Sequence, residues 1–291
     1  MMTLYDFLIA PFLDFEFMRR ALIGATALAL GAGPIGVFLM LRRMSLVGDA
    51  MAHAILPGAA AGFLVYGLSL FAMTAGGLIA GFVVALLSGL IARLTELKED
   101  ASLAALYLVS LALGVTIVSI RGSNIDLLHV LFGTVLALDD QTLILIATIT
   151  SLSLIVLALI YRPLVVECVD PGYLRSVSGA GAPVHLAFLA LVVMNLVGGF
   201  HALGTLLAVG IMMLPAAVAR FWARDITSMI LIAVGTGAFA GYAGLLMSFH
   251  VSVPSGPAII LVAGAIYVLS VVFGRVGGLA RQAFPGRHLE A

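Results

Sequence analysis

The chain has 291 residues, of which 63% are hydrophobic and 10% are charged, and its mean hydropathy is +1.23. A soluble domain of this length carries about a quarter charged residues, so the composition excludes a single water-soluble domain and indicates a membrane protein. The formal net charge is zero, with 14 basic and 14 acidic side chains, which excludes a basic surface for nucleic acid.

Nine apolar stretches have the length that a membrane-spanning helix needs, which is ~20 mostly apolar residues. Short polar connections between them hold nearly all of the charged side chains. We therefore predict an all-α, polytopic membrane protein in which residues 1–291 form a single transmembrane domain. In chain order the stretches are Phe17–Leu41, Leu46–Tyr66, Ser69–Ala92, Ala101–Ile120, Gln141–Tyr161, Pro183–Phe200, Leu203–Ala219, Ile226–Phe249 and Gly256–Phe273.

Two of these stretches, Pro183–Phe200 and Leu203–Ala219, are separated only by His201 and Ala202. The sequence is compatible with two spans joined by a tight turn. It is also compatible with one span followed by a re-entrant half-helix, although the distribution of basic residues favours nine spans. We therefore predict eight or nine transmembrane helices.

The basic residues predict which side of the membrane each connection faces. Alternating nine spans places eleven of the 14 basic residues on one side, that of the loop Arg42–Arg43. The other side holds Arg19, Arg20 and Arg121. The positive-inside rule then places the C-terminus in the cytoplasm and the N-terminal segment outside. The longest polar connection, Arg162–Ala182, is cytoplasmic in this topology.

Asp49 is the one acidic residue among the 49 residues between Arg43 and Arg93. An ionised carboxylate is costly to bury in a membrane, so an acid inside a span is a candidate functional residue. Asp49 lies only six residues after Arg43, and a second interpretation is that its carboxylate caps the start of the helix. The sequence alone leaves both interpretations open.

His53 follows Asp49 by four residues, a spacing that puts both side chains on one face of a helix with Cβ atoms ~6 Å apart. A carboxylate and an imidazole are suitable ligands for divalent zinc, manganese or iron. Pro57 continues the same face one turn later, where it removes a backbone hydrogen bond. We therefore predict that Asp49 and His53 bind a divalent transition metal together.

Four further polar residues are weaker candidates for metal binding. His201 lies between two predicted spans, and Asn195 is a polar residue inside a span, which is costly unless it pairs with another helix or lines a cavity. His129 and His250 have no acidic neighbour at ligand spacing, and positions in solvated loops explain them at least as well.

Four segments carry the most distinctive patterns of the chain. They are residues 41–58 (LRRMSLVGDAMAHAILPG), 126–133 (DLLHVLFG), 203–220 (LGTLLAVGIMMLPAAVAR) and 253–257 (VPSGP). In this order they resemble the permease subunits of the zinc/manganese/iron ABC transporter family, and the resemblance covers nearly the whole chain. It implies an all-helical permease that moves a divalent transition metal into the cytoplasm.

The resemblance also implies roles for particular residues. The intramembrane metal-binding acid and histidine of the family correspond to Asp49 and His53. His201 departs from the polar residue that relatives often have at its place, so the choice among zinc, manganese and iron stays open. The connection 162–182 resembles the cytoplasmic loop that docks on the ATPase, and its candidate coupling residues are Glu167, Asp170, Pro171 and Arg175.

The partners that the resemblance implies are a second permease copy, two cytoplasmic ATP-binding subunits and an external metal-binding solute-binding protein. The complex would lie in the lipid of a prokaryotic cytoplasmic (inner) membrane, and the divalent metal would be a transported substrate with no cofactor bound permanently. The sequence itself has no G-x-x-x-x-G-K-[ST] phosphate loop, and its single lysine, Lys98, is far from any glycine-rich turn. We therefore expect a transport subunit that is not an enzyme, with ATP hydrolysed by another chain.

Two other functions are compatible with an intramembrane pair of Asp49 and His53. A proton-coupled secondary metal transporter would exchange protons for metal at Asp49 and would need no ATPase. A membrane enzyme with a catalytic zinc would need a third protein ligand and a positioned water, for which the sequence offers no clear residue. The single cysteine, Cys168, excludes an internal disulfide and a thiolate metal site.

Overall fold

The computed structural model describes residues 4–67, 69–97, 99–120, 136, 138–170, 173–174, 179 and 181–283. Within this part of the chain, nine helical stretches are long and apolar enough to span a membrane, which confirms the all-α polytopic architecture. The helices are α1 (Leu4–Leu8), α2 (Ala10–Asp14), α3 (Glu16–Leu41), α4 (Ser45–Ala54), α5 (Leu56–Tyr66), α6 (Leu70–Leu94), α7 (Glu99–Ile120), α8 (Asp140–Val169), α9 (Gly181–Trp222), α10 (Ile226–Val251), α11 (Ser255–Phe273) and α12 (Leu279–Ala283).

Helix α9 is a hairpin. Gly204 has φ 81° and ψ 164°, a backbone conformation outside the helical region that is essentially restricted to glycine. Gly199 packs against Ala208, although nine residues of uninterrupted helix would separate the two by about 13.5 Å. The limbs Gly181–Phe200 (α9a) and Gly204–Trp222 (α9b) are therefore two separate candidate spans. Of the predicted eight or nine spans, the described residues support nine.

Ion pairs at both ends of α3 agree with the predicted order of membrane crossings. Arg20 near the start of α3 pairs with Asp140 at the start of α8, at 3.1 Å. Arg42 just after α3 pairs with Glu167 near the end of α8, at 3.2 Å. Helices α3 and α8 therefore run in the same direction, as the first and fifth of a series of alternating spans must.

Helix α8 extends further than the hydropathy of the sequence predicts. The predicted span ends at Tyr161, whereas the helix continues through Pro163 to Val169. Leu164 and Glu167 on this extension are buried, so tertiary packing holds the helix together beyond the proline. The predicted connection 162–182 is thus helical over residues 162–169, and only residues 170–180 link α8 to α9.

Small residues let neighbouring helices approach α3 closely, which is how helices associate in a membrane. A methyl group added at Gly36 would collide with the backbone carbonyl of Met212 on α9b. Thr150 on α8 donates its hydroxyl hydrogen to the carbonyl oxygen of Ala27 at 3.0 Å. Contacts with α8 and α9b thereby fix the position of α3, including its C-terminal half, within the bundle.

The short helices α1 and α2 pack against the end of α10. The hydroxyl of Tyr242 donates to the carbonyl oxygen of Leu8 at 3.0 Å. The ring of His250 stacks on Phe7 with centroids 4.1 Å apart, and Phe12 stacks on Tyr242. Residues 4–14 are therefore held by α10 and belong to the folded domain.

Candidate metal site

The turn between α3 and α4 determines where the candidate site begins. Arg43 has a φ of 59°, and the N–H of Met44 donates to the carbonyl oxygen of Leu39 at 2.9 Å. This is the hydrogen-bond pattern of a Schellman helix end, with a left-handed residue just after the helix. It terminates α3 at Leu41, and α4 begins at Ser45.

Asp49 occupies the second turn of α4. The residue at the N-cap position is Met44, so the interpretation of Asp49 as a helix cap is wrong. With a rise of 1.5 Å per residue, Asp49 and His53 lie about 6 Å and about 12 Å along the helix from Ser45. Both positions are inside the candidate membrane span Ser45–Tyr66.

The side chains of Asp49 and His53 face each other across one helical turn. Oδ1 of Asp49 lies 3.8 Å from Nε2 of His53. The Asp49 side chain is 64% exposed, and the His53 side chain is 26% exposed. The carboxylate therefore projects from the surface of a single chain within a membrane span, where charge is costly unless a ligand, a partner chain or water receives it.

Tyr107 on α7 orients His53. The two rings have centroids 6.1 Å apart and an interplanar angle of 29°. Nδ1 of His53 is buried, and no residue in the described ranges gives it a hydrogen-bond partner. Nε2 is thus the ring nitrogen that can bind a metal together with Asp49, with the ring hydrogen on Nδ1.

The backbone breaks directly after this pair. Helix α4 ends at Ala54 and α5 begins at Leu56, with Pro57 in its first turn. Because Pro57 has no N–H, the carbonyl of His53 loses the donor that a continuous helix would supply. Ser110 on α7 donates to the carbonyl oxygen of Ala54 at 3.0 Å, so a side chain supports the break.

The second limb of the hairpin packs beside Asp49. A Cβ atom added at Gly48 would lie 3.0 Å from Cε of Met213 and 4.0 Å from the sulfur of Met212. A side chain at position 48 would therefore press on the end of the Met213 side chain. Helix α9b is therefore in direct contact with the turn of α4 that carries Asp49.

Asn195 lies in a different environment from the pair. It is 1% exposed on α9a, and its amide nitrogen donates to Ser153 at 2.7 Å and to the carbonyl oxygen of Leu191 at 2.9 Å. A Cβ atom added at Gly31 would lie 2.6 Å from Oδ1 of Asn195, so this side chain is held between α3, α8 and α9a. These contacts do not bring Asn195 to Asp49 or His53.

The other candidate histidines give no evidence of a ligand cluster around Asp49 and His53 in the described part of the chain. His250 is held by Phe7, since Nε2 of His250 is 3.0 Å from the carbonyl oxygen of Phe7. His201 precedes the kink at Gly204, and its side chain is not among those described, while His129 lies outside the described residues. In the described part of the chain, no group of three or more His, Cys, Asp or Glu side chains could hold a metal ion.

The predicted coupling residues differ in their exposure. Glu167 is buried and ion-paired with Arg42, so it does not face the cytoplasm directly. Asp170 is exposed after the end of α8, and its carboxylate accepts the N–H of Tyr173 at 2.9 Å. Pro171 and Arg175 lie outside the described residues. The coupling role of all four residues stays a prediction.

Sequence reasoning missed Tyr107, Ser110 and His185. The first two lie on α7 beside the pair and its break, and His185 near the start of α9a contacts Arg42. Each of them touches a residue that is more than 50 positions away, and no local spacing indicates such contacts. The only local signal is that all three are polar side chains within or close to apolar stretches.

The chain is similar to known proteins over most of its length. The model of the ABC 3 transport family matches residues 14–274. The chain is 32% identical over 267 residues to the manganese import system permease protein ScaB of Streptococcus parasanguinis, covering 90% of this chain and 94% of ScaB. It is 26% identical over 273 residues to a probable iron transport system membrane protein of Haemophilus influenzae, covering 94% of this chain and 99% of that protein.

The fold also has a solved counterpart. The structure of PsaBC from Streptococcus pneumoniae in complex with Fab superposes with a TM-score of 0.83 at 28% sequence identity. The superposition covers 95% of this chain and 98% of the matched chain. The helical arrangement described above is therefore shared over nearly its full length.

Proposed function

Because this chain belongs to the ABC 3 transport family, and is thus a multi-pass permease of a bacterial metal ABC transporter, we propose that Asp49 and His53 bind the transported ion. The chain is a transport subunit, and ATP is hydrolysed by a separate ATPase subunit of the complex. The observation that carries the proposal is the pair itself. A carboxylate and an imidazole nitrogen lie 3.8 Å apart on one turn of a membrane span.

A second copy of the chain would complete the metal site. Two protein ligands are fewer than the four to six that zinc, manganese or iron ions bind. The exposed carboxylate of Asp49 supports a site at an interface, because a second copy related by twofold symmetry would add another carboxylate and another imidazole. We therefore infer a homodimeric permease whose metal site lies between the two copies of α4.

The donor set is compatible with manganese, iron and zinc. Carboxylate oxygen suits manganese, and imidazole suits iron and zinc, so the pair excludes none of the three metals. The names of the two relatives refer to manganese and to iron, which supports these two metals ahead of zinc.

Import would proceed by alternating access. An external solute-binding protein delivers the metal, and Asp49 and His53 hold it inside the span. ATP binding and hydrolysis in the two ATPase subunits then change which side of the membrane the pair faces. The exposed Asp170 and Tyr173 after α8 support docking of the ATPase on residues 170–180. Metal binding requires deprotonated ligands, so protonation of His53 should weaken it.

Metal uptake by substituted permeases tests the assignment. Asp49→Asn keeps the size of the side chain and removes the charge that compensates a dication, while His53→Ala removes the nitrogen ligand. Both variants should lose uptake of manganese and iron while the permease still assembles with its ATPase. Asp140→Asn and His250→Ala are matched controls outside the site and should keep uptake. Near-normal uptake by Asp49→Asn would contradict the ligand assignment.

The same uptake assay distinguishes an ABC importer from a proton-coupled transporter. Loss of ATP hydrolysis in the partner subunit should abolish uptake. A protonophore added to proteoliposomes that contain ATP should leave uptake intact. Uptake that collapses with the protonophore and persists without ATP hydrolysis would support secondary transport at Asp49.

A further inference from the structure

Three polar side chains form a buried cluster where the ends of α3, α8 and α9a meet. Nη2 of Arg42 donates to Oε1 of Glu167 at 3.2 Å and also to Nδ1 of His185. The guanidinium group lies over the ring of Phe188, 5.1 Å from its centroid. The side chains of Arg42, Glu167 and His185 are 10%, 8% and 12% exposed. Because a guanidinium has no acceptor, Nδ1 of His185 accepts the bond, which leaves the ring hydrogen on Nε2.

The cluster is incompletely paired. Nη1 of Arg42 and Oε2 of Glu167 are both buried and have no hydrogen-bond partner among the residues described. A buried ion pair recovers its desolvation cost only when its remaining donors and acceptors are also satisfied. Stability alone therefore does not explain why charged residues stand here in an otherwise apolar bundle. The charged residues are explained if the ends of α3, α8 and α9a must adopt one defined arrangement.

Arg42 is rigidly connected to the metal ligands. It is the C-cap of α3, and the Schellman turn holds it through the Arg43 N–H, which donates to Met40. Helix α4 begins three residues later and carries Asp49 in its second turn. A displacement of the Arg42 backbone would therefore be passed to the start of α4 through this hydrogen-bonded turn.

The other two members of the cluster connect to the ATPase side and to the hairpin. Glu167 lies three residues before Asp170, where α8 has ended. Residues 170–180, the part of the predicted ATPase-docking connection that follows α8, begin there. His185 lies on α9a, and the second limb of the same hairpin packs Met213 against Gly48, beside Asp49. Helix α9b thus contacts α4 itself at Gly48, while α8 contacts Arg42, the residue that ends α3 just before α4.

We propose that Arg42, Glu167 and His185 are positioning residues that couple movement of the docking connection to α4. When the ATPase displaces residues 170–180, the ion pair moves the start of α4 with α8 and so changes the exposure of the metal ligands. The proposal rests on the proposed function, since it assumes that Asp49 and His53 bind the transported metal. It adds Arg42 and His185 to the candidate coupling residue Glu167 and gives Glu167 buried partners in place of a direct contact with the ATPase.

The double variant Arg42→Met/Glu167→Leu removes the link and leaves no unpaired charge. Replacement of a buried ion pair by apolar side chains of similar volume generally preserves folding, whereas either single substitution would strand a charge. In proteoliposomes with the intact complex, the ratio of metal transported to ATP hydrolysed should fall by about tenfold or more, a typical magnitude for coupling between two sites. ATP hydrolysis itself should persist. Arg224→Met and Glu96→Gln, at exposed positions, are controls and should keep the wild-type ratio.

The outcome separates this inference from the proposed function. A wild-type ratio in the double variant would overturn the coupling role, even if Asp49→Asn abolishes uptake as expected. Normal uptake in Asp49→Asn would instead overturn the metal assignment. A purely structural role predicts less assembled complex with an unchanged ratio for the complex that remains, and this result would also overturn the coupling role.

A measurement on the wild-type complex needs no substitution. Hydrogen exchange of residues 166–170 and 45–49 is compared before and after trapping the ATPase subunits with ATP and vanadate. Coupling predicts that the amide protection of both segments changes together. A change in residues 166–170 without a change in residues 45–49, or no change in either, would overturn the proposal.

Discussion

Ser110 on α7 donates its hydroxyl hydrogen to the carbonyl oxygen of Ala54, the last residue of α4, three residues before Pro57. A span whose helix is interrupted next to Asp49 and His53 exposes polar backbone groups inside the membrane, and each needs a partner. Ser110 supplies one of them from a neighbouring helix. The geometry of the candidate site therefore depends on α7 as well as on α4.

We predict that Ser110→Ala destabilises the permease by about 1 kcal/mol, because it leaves a buried carbonyl without its donor. The midpoint of thermal unfolding in detergent measures this change. Ser102→Ala is a matched control on the same helix. Its hydroxyl is buried without a hydrogen-bond partner among the described residues, so its removal should be neutral or stabilising. Equal shifts for the two variants would contradict the role of Ser110.

We predict that Gly204→Ala destabilises the hairpin by about 1–3 kcal/mol, because a side chain is strained at a φ of 81° and a ψ of 164°. The thermal midpoint should fall accordingly. Gly235→Ala on α10 is the control, because a Cβ atom there meets no neighbour and alanine favours a helix. A tolerated alanine at position 204 would mean that α9 does not reverse there.

We predict that Asn195→Ala lowers stability while metal uptake per folded permease is retained. The amide of Asn195 joins α9a to Ser153 on α8, so its loss removes a contact between helices. Ser153→Ala should produce a shift of the same sign. Thermal unfolding and uptake are measured on the same preparations. Lost uptake at unchanged stability would instead indicate that Asn195 is a metal ligand.

We predict that the free energy of unfolding decreases in acid, because the carboxylates of two aspartates cap the N-termini of helices. The N–H of Ser228 donates to the carboxylate of Asp225, and this hydrogen bond holds the pKa of Asp225 below its ordinary value. The side chain of Thr142, and to a smaller extent its backbone N–H, lower the pKa of Asp139 by hydrogen bonding to its carboxylate. A carboxylate with a lowered pKa binds fewer protons in the folded state, so its contribution is present above about pH 4 and disappears as the pH falls through the folded pKa.

The measurement follows the thermal midpoint from pH 7 to pH 3. Asp225→Asn keeps a side chain that caps helices well and cannot titrate. The difference in midpoint between wild type and Asp225→Asn should therefore shrink or reverse as the pH falls below about 4. A difference that is independent of pH would contradict the contribution of the charged carboxylate.

The predicted sidedness can be tested with thiol labelling. Cys168 is half-buried, so a background with Cys168→Ser is used. In intact cells a membrane-impermeant maleimide should label Asp140→Cys rapidly and Glu96→Cys only after lysis, because the two exposed positions lie on opposite sides in the predicted topology. The reverse pattern would invert the orientation of all spans.

The spans and the proximity of Asp49 and His53 can be predicted from the sequence because both depend on residues that are close together in the chain. A span is defined by the length of an apolar stretch, and Asp49 and His53 share a face because they lie on one helix at a spacing of four. Hydropathy could not distinguish the hairpin of α9 from a kinked helix, because both have the same composition. The backbone angles of Gly204 make that distinction.

The remaining features depend on contacts between distant parts of the chain. Tyr107 lies beside His53 because of how α4 and α7 pack, and Arg42 meets Glu167 across 125 positions. Helix α8 continues past Pro163 since burial of the apolar side chain of Leu164 offsets one lost hydrogen bond. Neither hydropathy nor residue spacing contains this information.

The contacts of the N-terminal helices with α10 affect the order of events during synthesis. Leu8 and Phe7 leave the ribosome early, but Tyr242 and His250 follow 234 and 243 positions later. At about 5–20 residues per second, translation reaches these partners only some tens of seconds afterwards. Until then α2 can pack against α3, but the contacts of α1 with α10 cannot form. Packing of α1 against α10 is thus one of the late steps of assembly in the membrane.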